Sequence, residues 1–149
     1  MNKIVLCNRV STAVFAVVAV VSAILFTSFW RVAIVAVSLG LFAIGVATFL
    51  LGYFAAVQRS REEEISVTQL FFLAGEVAPK KVCFAMWYCL ALQCVVGLGV
   101  ALARPSTDGK AGSVMAFAVM VPMLGIGLNG LWAGKFGTFG PRQLKSASE

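Results

Sequence analysis

The sequence contains no histidine and few charged residues. Asp, Glu, Lys and Arg make up 12% of its 149 residues, whereas a soluble domain carries about 25%. Because 60% of the residues are hydrophobic, too few charges remain to cover a water-facing surface, and this excludes a soluble globular fold. The absence of histidine removes the commonest metal ligand and the usual base at neutral pH. We therefore expect a membrane protein with no metal site, no cofactor and no enzymatic activity.

Four apolar runs are each long enough to cross a bilayer, which takes about 20 residues. They cover approximately residues 10–30, 32–57, 82–103 and 113–134. We interpret the first run as a retained span, because the apolar region of a cleaved signal peptide is only about 7–15 residues long. The sequence thus predicts an all-α, polytopic membrane protein of a single domain. Its four transmembrane helices are expected to form two antiparallel hairpins.

Lysine and arginine are distributed unequally between the two sides of such a bundle. Nine of the 12 lie on the side that holds both termini, and the other three are Arg31, Arg104 and Lys110. Loops that stay in the cytoplasm are rich in Lys and Arg. We therefore predict a plasma (inner) membrane protein with both termini in the cytoplasm, and residues 135–149 as a cytoplasmic tail.

The longest predicted loop, residues 58–81, carries signals for a short helix. Ser66 and Gln69 have the spacing of a capping box. Pro79 is expected to end the helix, because the residue before a proline disfavours helical geometry. A helix over about residues 67–77 would have an apolar face made of Val67, Leu70, Phe71, Ala74 and Val77. We expect an interfacial helix that covers the cytoplasmic end of the bundle, in preference to a lipid-recognition device.

The predicted spans contain no Asp, Glu, Lys, Arg or His. Proton- and ion-coupled transporters normally keep such a residue within the membrane, so this class is disfavoured. The cysteines, at positions 7, 83, 89 and 94, lack the C-x-x-C spacing of zinc and redox motifs. They are expected to be free thiols.

Two amide side chains lie within the predicted spans and need hydrogen-bond partners there. Gln93 lies near the middle of the third span, whereas Asn129 lies closer to the cytoplasmic end of the fourth, so the two are not expected to meet. Tyr88 matches the depth of Asn129 and is its predicted partner. We expect structural bonds between helices in preference to quinone or substrate contacts. Pro122 is predicted to kink the fourth span and to free a carbonyl near Ala118.

Small residues recur at helical spacing in the second and fourth spans. The second span has one stripe of Ala36, Gly40, Ala43 and Ala47 and another of Gly45, Gly52 and Ala56. The fourth span contains Gly125, Gly127, Gly130 and Gly134. Small residues allow transmembrane helices to approach closely. A single neighbouring helix of the same chain would use only one such face. Two faces on the second span therefore indicate packing against another protein.

The closing part of the fourth span has a distinctive pattern. Residues 121–142 read VPMLGIGLNGLWAGKFGTFGPR, and Ala78-Pro79-Lys80 precedes them. This part of the chain resembles a group of small four-helix membrane proteins of actinobacteria, which share the Val-Pro, Gly-Leu-Trp and Gly-Thr-Phe-x-Pro-Arg elements. The resemblance covers roughly the C-terminal half and implies no enzymatic activity.

These observations favour a non-catalytic accessory or structural subunit of a larger membrane protein complex. Its expected partners are larger integral membrane proteins and lipids, not nucleic acid, and an actinobacterial respiratory supercomplex is a candidate host. The alternative is a small homodimeric transporter or flippase for an apolar or lipidic substrate, with Pro122 and the nearby glycines as its moving part. An enzyme acting on lipids is disfavoured, because no plausible base is present.

Overall fold

The computed structural model describes residues 3–142. Its α-helices are α1 (Lys3–Leu25), α2 (Ser28–Arg59), α3 (Val67–Phe72), α4 (Lys80–Ala103) and α5 (Pro122–Phe136), and a 3₁₀ segment (Val114–Met120) leads into α5. In this described part, four segments are long and apolar enough to cross a membrane: α1, α2, α4 and the 3₁₀ segment joined to α5. The prediction of a helical, multi-pass membrane protein is confirmed.

The helices extend beyond the predicted spans at one end of the bundle. This end, here called the basic end, is the one formed by Lys3, Arg59, Lys80 and Lys135. The first helix begins at Lys3 rather than near residue 10, and the second continues to Arg59. An apolar run marks only the part of a helix that suits hydrocarbon, whereas backbone hydrogen bonding continues through adjoining charged residues. Of the predicted tail, residues 143–149, which include Lys145, lie outside the described residues.

The fourth span lies at the centre of the bundle. The most extensive interface joins α2 to α5, and α1 lies mainly against α4. One cluster of buried side chains, including Met86 and Trp132, lies towards the basic end, and another, including Phe15 and Met115, lies towards the opposite end. Half (50%) of the most apolar stretch of the fourth span is buried, against 17% for α2. The second helix therefore exposes most of its surface.

The α3 helix has the predicted start but ends earlier than predicted. The Ser66 hydroxyl accepts from the Gln69 N–H at 3.2 Å, and the Gln69 side chain accepts from the Ser66 N–H at 3.0 Å, which completes the capping box. The helix ends at Phe72 because Leu73 adopts a left-handed conformation, with φ of 51°. Pro79 does not end α3; it directly precedes α4, where a missing N–H does no harm.

The early end of α3 also changes its buried face. Leu70, Phe71 and Val77 are buried as predicted, whereas Val67 and Ala74 are exposed. Leu73 does not belong to the predicted face, yet it is 1% exposed. Beyond Phe72 the chain no longer follows helical periodicity, so spacing alone could not identify this set.

Short two-residue ladders close the loops at both ends of the bundle. At the basic end β1 (Glu63–Glu64) pairs antiparallel with β4 (Gly140–Pro141), and at the opposite end β2 (Ser106–Thr107) pairs with β3 (Lys110–Ala111). Arg31 forms an ion pair with Asp108, in the turn of the second ladder, at 2.8 Å. The ring of Phe26 lies 4.7 Å from the Arg31 guanidinium and 5.0 Å from that of Arg104. The opposite end is thus held by cation–π contacts around the α1–α2 turn.

Candidate functional site

Three buried polar side chains meet near the middle of the bundle. Gln93 on α4 donates through Nε2 to Thr12 Oγ1 at 2.7 Å and to Asn8 Oδ1 at 3.2 Å, both on α1. Its Oε1 accepts from the backbone N–H of Gly125 on α5 at 3.2 Å. All three side chains are buried, with Thr12 the most exposed at 2%. Gln93 therefore links three helices at a depth where polar groups must be satisfied by protein.

The Gly125 N–H needs this partner because the fourth span is broken. The α-helix starts only at Pro122, its first residue, and the preceding turns are 3₁₀. The N–H groups of a helix's first turn have no acceptor within the helix. In the membrane interior no water is available to accept a hydrogen bond from such a group. Gln93 supplies the acceptor, so this side chain caps α5 at mid-span.

Pro122 marks the point where the fourth span changes from 3₁₀ to α-helix, which is where the sequence predicts a kink. The Ala118 carbonyl, predicted to be free, accepts from the Val121 N–H at 3.3 Å. The neighbouring helix α4 comes very close at this point. A Cβ at Gly97 would lie 2.6 Å from the Ala118 carbonyl oxygen, so only glycine fits there. Gly97 does not belong to the predicted packing residues.

Asn8 and Thr12 are also missing from the predicted polar residues. The first apolar run starts near residue 10, which leaves Asn8 outside the predicted span, although α1 begins earlier. A signal for both residues is present in the sequence. They lie four positions apart and so share one face of a helix. A polar pair at this spacing, in a bundle that contains an unpartnered glutamine, indicates an interhelical network.

Asn129 bonds to a different group from the one predicted. Its Nδ2 donates to the Phe71 carbonyl at 3.0 Å, and the side chain is fully buried. Tyr88, the predicted partner, is 61% exposed, and its ring stacks with that of Phe84 at 6.4 Å. The prediction was wrong because α3 packs on α5 and brings a backbone carbonyl to Asn129, whereas Tyr88 lies on the exposed side of α4.

Glycines bring the backbones of α2 and α5 into contact. A Cβ at Gly45 would lie 2.6 Å from the Leu124 nitrogen, and one at Gly134 would lie 2.9 Å from the Gly52 carbonyl oxygen. A Cβ at Gly127 would overlap the Gly45 carbonyl. One of the two predicted stripes of α2 is therefore used inside the chain, where close van der Waals contact holds the two helices together.

Two further glycines of α5 make room for side chains. A Cβ at Gly125 would lie 2.8 Å from Gln93 Oε1, and one at Gly130 would lie 2.5 Å from the ring of Phe71. That ring also stacks on Phe49, at 4.2 Å between centroids. Gly130 thus allows α3 to be anchored on α5 by an aromatic side chain.

The other predicted stripe of α2 faces outwards. Gly40, Ala43 and Ala47 are all exposed, as is Ala36 one turn before them. A Cβ on Gly40 would have no atom of another described element within 4 Å. These residues therefore make no close helix packing within the described part of the chain.

Arg59, the last residue of α2, holds the end of α5. Its Nε and Nη2 bond to the two carboxylate oxygens of Glu63 at 2.8 and 3.0 Å. It also donates to the carbonyls of Gly134 at 3.3 Å and Gly137 at 2.9 Å, and lies 5.0 Å from the centre of the Phe139 ring. The last carbonyls of a helix lack partners within it. Arg59 supplies donors for them and so fixes the Gly-Thr-Phe-Gly-Pro-Arg segment.

An apolar groove lies between α2 and α3 at the basic end. Its volume is about 510 Å³, and its walls include Phe49, Tyr53 and Leu70. Ser60 and Ser66 add two polar residues to its lining. The groove is open, so its walls face the surroundings of the bundle.

The four cysteines are free thiols, with Cys89 buried and Cys7 exposed. No group of three or more His, Cys, Asp or Glu side chains suited to a metal ion occurs among residues 3–142. The polar centre of the bundle therefore consists of amide, hydroxyl and backbone groups, whose chemistry is hydrogen bonding.

The resemblance of residues 121–142 to actinobacterial membrane proteins rests on the sequence pattern alone and stays a prediction. Comparison of the chain with protein-family models, with curated proteins and with solved structures finds no match.

Proposed function

We propose that the chain is a non-catalytic accessory subunit of a larger membrane protein complex. In this proposal the outward stripe of α2, formed by Ala36, Gly40, Ala43 and Ala47, packs against a transmembrane helix of another protein. The proposal rests on a difference between the two small-residue stripes of α2. The stripe that contains Gly45 and Gly52 packs against α5, whereas the outward stripe is exposed.

The internal interface shows what a small-residue stripe does in this bundle. Gly45 and Gly52 permit backbone contact with α5, at distances that exclude any Cβ. The outward stripe consists of similarly small residues at 4-3-4 spacing and could accept a helix in the same way. Lipid chains gain little from a flat small-residue surface, whereas a helix gains van der Waals contact along its length. The low burial of α2, 17% of its apolar stretch, leaves room for such a neighbour.

A pair of glycine substitutions tests the proposal. Gly40 and Gly99 both lie on exposed helix surfaces, and a Cβ added at either would have open space around it. Gly40→Leu would block the stripe, whereas Gly99→Leu adds the same side chain to α4. We expect the chain to migrate with a larger assembly in mild detergent, and Gly40→Leu alone to release it.

Two outcomes would contradict this function. One is a wild-type chain that migrates as a stable monomer after gentle extraction from native membranes. The other is an assembly that tolerates Gly40→Leu and Ala47→Leu as well as Gly99→Leu. Cross-linking from position 43, followed by mass spectrometry, would identify the neighbour and would show whether the host is an actinobacterial respiratory supercomplex.

The membrane arrangement forms part of the same proposal. The chain would lie in the plasma (inner) membrane as two antiparallel hairpins, with the basic end in the cytoplasm and α3 at the interface. The excess of Lys and Arg at the basic end supports this orientation. Labelling of single cysteines with a membrane-impermeant reagent tests it. Position 110 should react from outside intact cells, whereas position 61 should react only after the membrane is opened.

One observation favours the alternative, a small homodimeric transporter or flippase for a lipidic substrate. Discontinuous helices that begin at mid-membrane often form the binding sites of transporters, and α5 begins there. Reconstituted liposomes with a fluorescent lipid test this alternative. Lipid movement that Pro122→Ala or Gly127→Leu abolishes would support it, and absence of movement would contradict it.

A further inference from the structure

We propose that a groove between α1 and α4 binds the headgroup of an anionic phospholipid. The groove has a volume of about 340 Å³ and is lined by Arg9 and Tyr88 together with apolar residues that include Ala13, Phe84 and Leu92. It lies on a different pair of helices from the outward stripe of α2, so the inference is independent of the proposed function.

The position of Arg9 suits a phosphate group at the membrane surface. Arg9 lies six residues after the start of α1, or about 9 Å along the helix axis. Tyr88 lies eight residues after the start of α4, or about 12 Å along that axis. Because both helices begin at the basic end, the two polar groups lie at a similar depth. Both residues are exposed on the surface of the bundle. The long Arg side chain can extend towards the headgroups while its stem stays in an apolar environment.

Charge complementarity identifies the headgroup as anionic. The exposed basic residues at this end of α1 and α4 are Lys3, Arg9, Lys80 and Lys81. Neither helix contains an acidic residue. Arg9 lines the groove itself, and Lys3, Lys80 and Lys81 lie at the start of the same two helices. The charged side chains that α1 and α4 contribute at the basic end are therefore all positive.

The composition of the groove matches the two parts of a phospholipid. Guanidinium groups bind phosphate oxygens through parallel hydrogen bonds, and a tyrosine hydroxyl adds a further donor at the same level. Beyond them, Ala13 and Leu92 provide an apolar wall along which an acyl chain can lie. Basic pockets between transmembrane helices are a recurrent form of anionic lipid site.

Native mass spectrometry of the full chain tests the inference. The protein would be reconstituted in equal amounts of phosphatidylglycerol and phosphatidylcholine, extracted in mild detergent, and the retained lipids counted. We expect preferential retention of phosphatidylglycerol. Arg9→Gln should lower this retention about fivefold, the effect of about 1 kcal/mol per basic residue near an anionic surface. Arg61→Gln, which removes the same charge at the basic end but outside the groove, should leave retention unchanged.

A second variant separates the groove from general charge effects. Ala13→Leu fills the groove without changing its charge, and it should also lower phosphatidylglycerol retention. Circular dichroism would show that the variants keep their helices. Equal retention of the two lipids by the wild type, or undiminished phosphatidylglycerol on Arg9→Gln, would overturn the inference.

Discussion

The hydrogen-bond network of Gln93 gives the sharpest prediction for the stability of this bundle. Gln93→Met keeps the approximate volume of the side chain but removes its donors and its acceptor. Three hydrogen bonds disappear: those to Asn8 and Thr12 and the one from the Gly125 N–H. The N–H group is then left without an acceptor at the start of α5.

The expected loss follows from the number and kind of these bonds. Hydrogen bonds between transmembrane helices contribute about 0.6 kcal/mol on average, so three contribute about 2 kcal/mol. An unsatisfied buried N–H adds about 1–3 kcal/mol. We therefore expect Gln93→Met to lower the free energy of unfolding by about 3–5 kcal/mol. Thr12→Val removes one of these bonds and leaves Gly125 capped, so it should lower that energy by only about 0.6 kcal/mol.

Two measurements check this prediction. Reversible unfolding in mixed micelles, followed by tryptophan fluorescence, gives the free energies of the two variants and of their combination. Hydrogen–deuterium exchange reports whether the first turn of α5, residues 122–126, opens more readily in Gln93→Met. A Gln93→Met variant that loses no more stability than Thr12→Val, with unchanged exchange at the start of α5, would refute the capping role of Gln93.

Three further predictions concern other parts of the bundle. Gly45→Ala should lower the free energy of unfolding by about 1–3 kcal/mol, because the added Cβ forces α2 away from α5. Gly40→Ala should be neutral or should stabilise the protein by up to about 1 kcal/mol. Thermal melts in detergent would check both values. Arg59→Lys should speed hydrogen exchange in residues 133–142, because lysine lacks the fork that binds both Glu63 and backbone carbonyls; unchanged exchange would contradict this. Asp108→Asn should change the unfolding free energy by less than about 1 kcal/mol, and less still at high salt, because the Asp108 side chain is largely exposed; a larger loss would be evidence against this view.

The parts of the fold that depend on local physics could be predicted from the sequence. Runs of apolar residues identified the four spans, because only helices satisfy their own backbone in lipid. The capping box of Ser66 and Gln69 depends on residues three positions apart, so its spacing is visible in the chain. The end of α3 was not visible in the same way. Leu73 adopts a left-handed conformation that its side chain does not favour, and the packing of its buried side chain is what holds it there.

The parts that depend on which helices meet could not be predicted. Helical spacing separated two small-residue stripes on α2, but it could not show that Gly45 faces α5 while Gly40 faces outwards. The predicted partner of Asn129 was wrong for a similar reason. Tyr88 was chosen because it lies at a similar depth in the membrane, whereas the actual acceptor is a backbone carbonyl of α3. Gln93 was correctly identified as a residue in need of partners, yet its partner Asn8 lay outside the predicted span.

The 3₁₀ winding before Pro122 sets the length and the rotation of the fourth span. A 3₁₀ helix rises about 2.0 Å per residue instead of 1.5 Å, so Val114–Met120 reaches about 3.5 Å farther than an α-helix would. It also turns about 20° more per residue, which rotates Met115 on the order of 120° relative to α5. This rotation directs Met115 into the cluster with Phe15 and Ile34. Rewinding the segment as α-helix would shorten the span and turn that side chain out of its cluster.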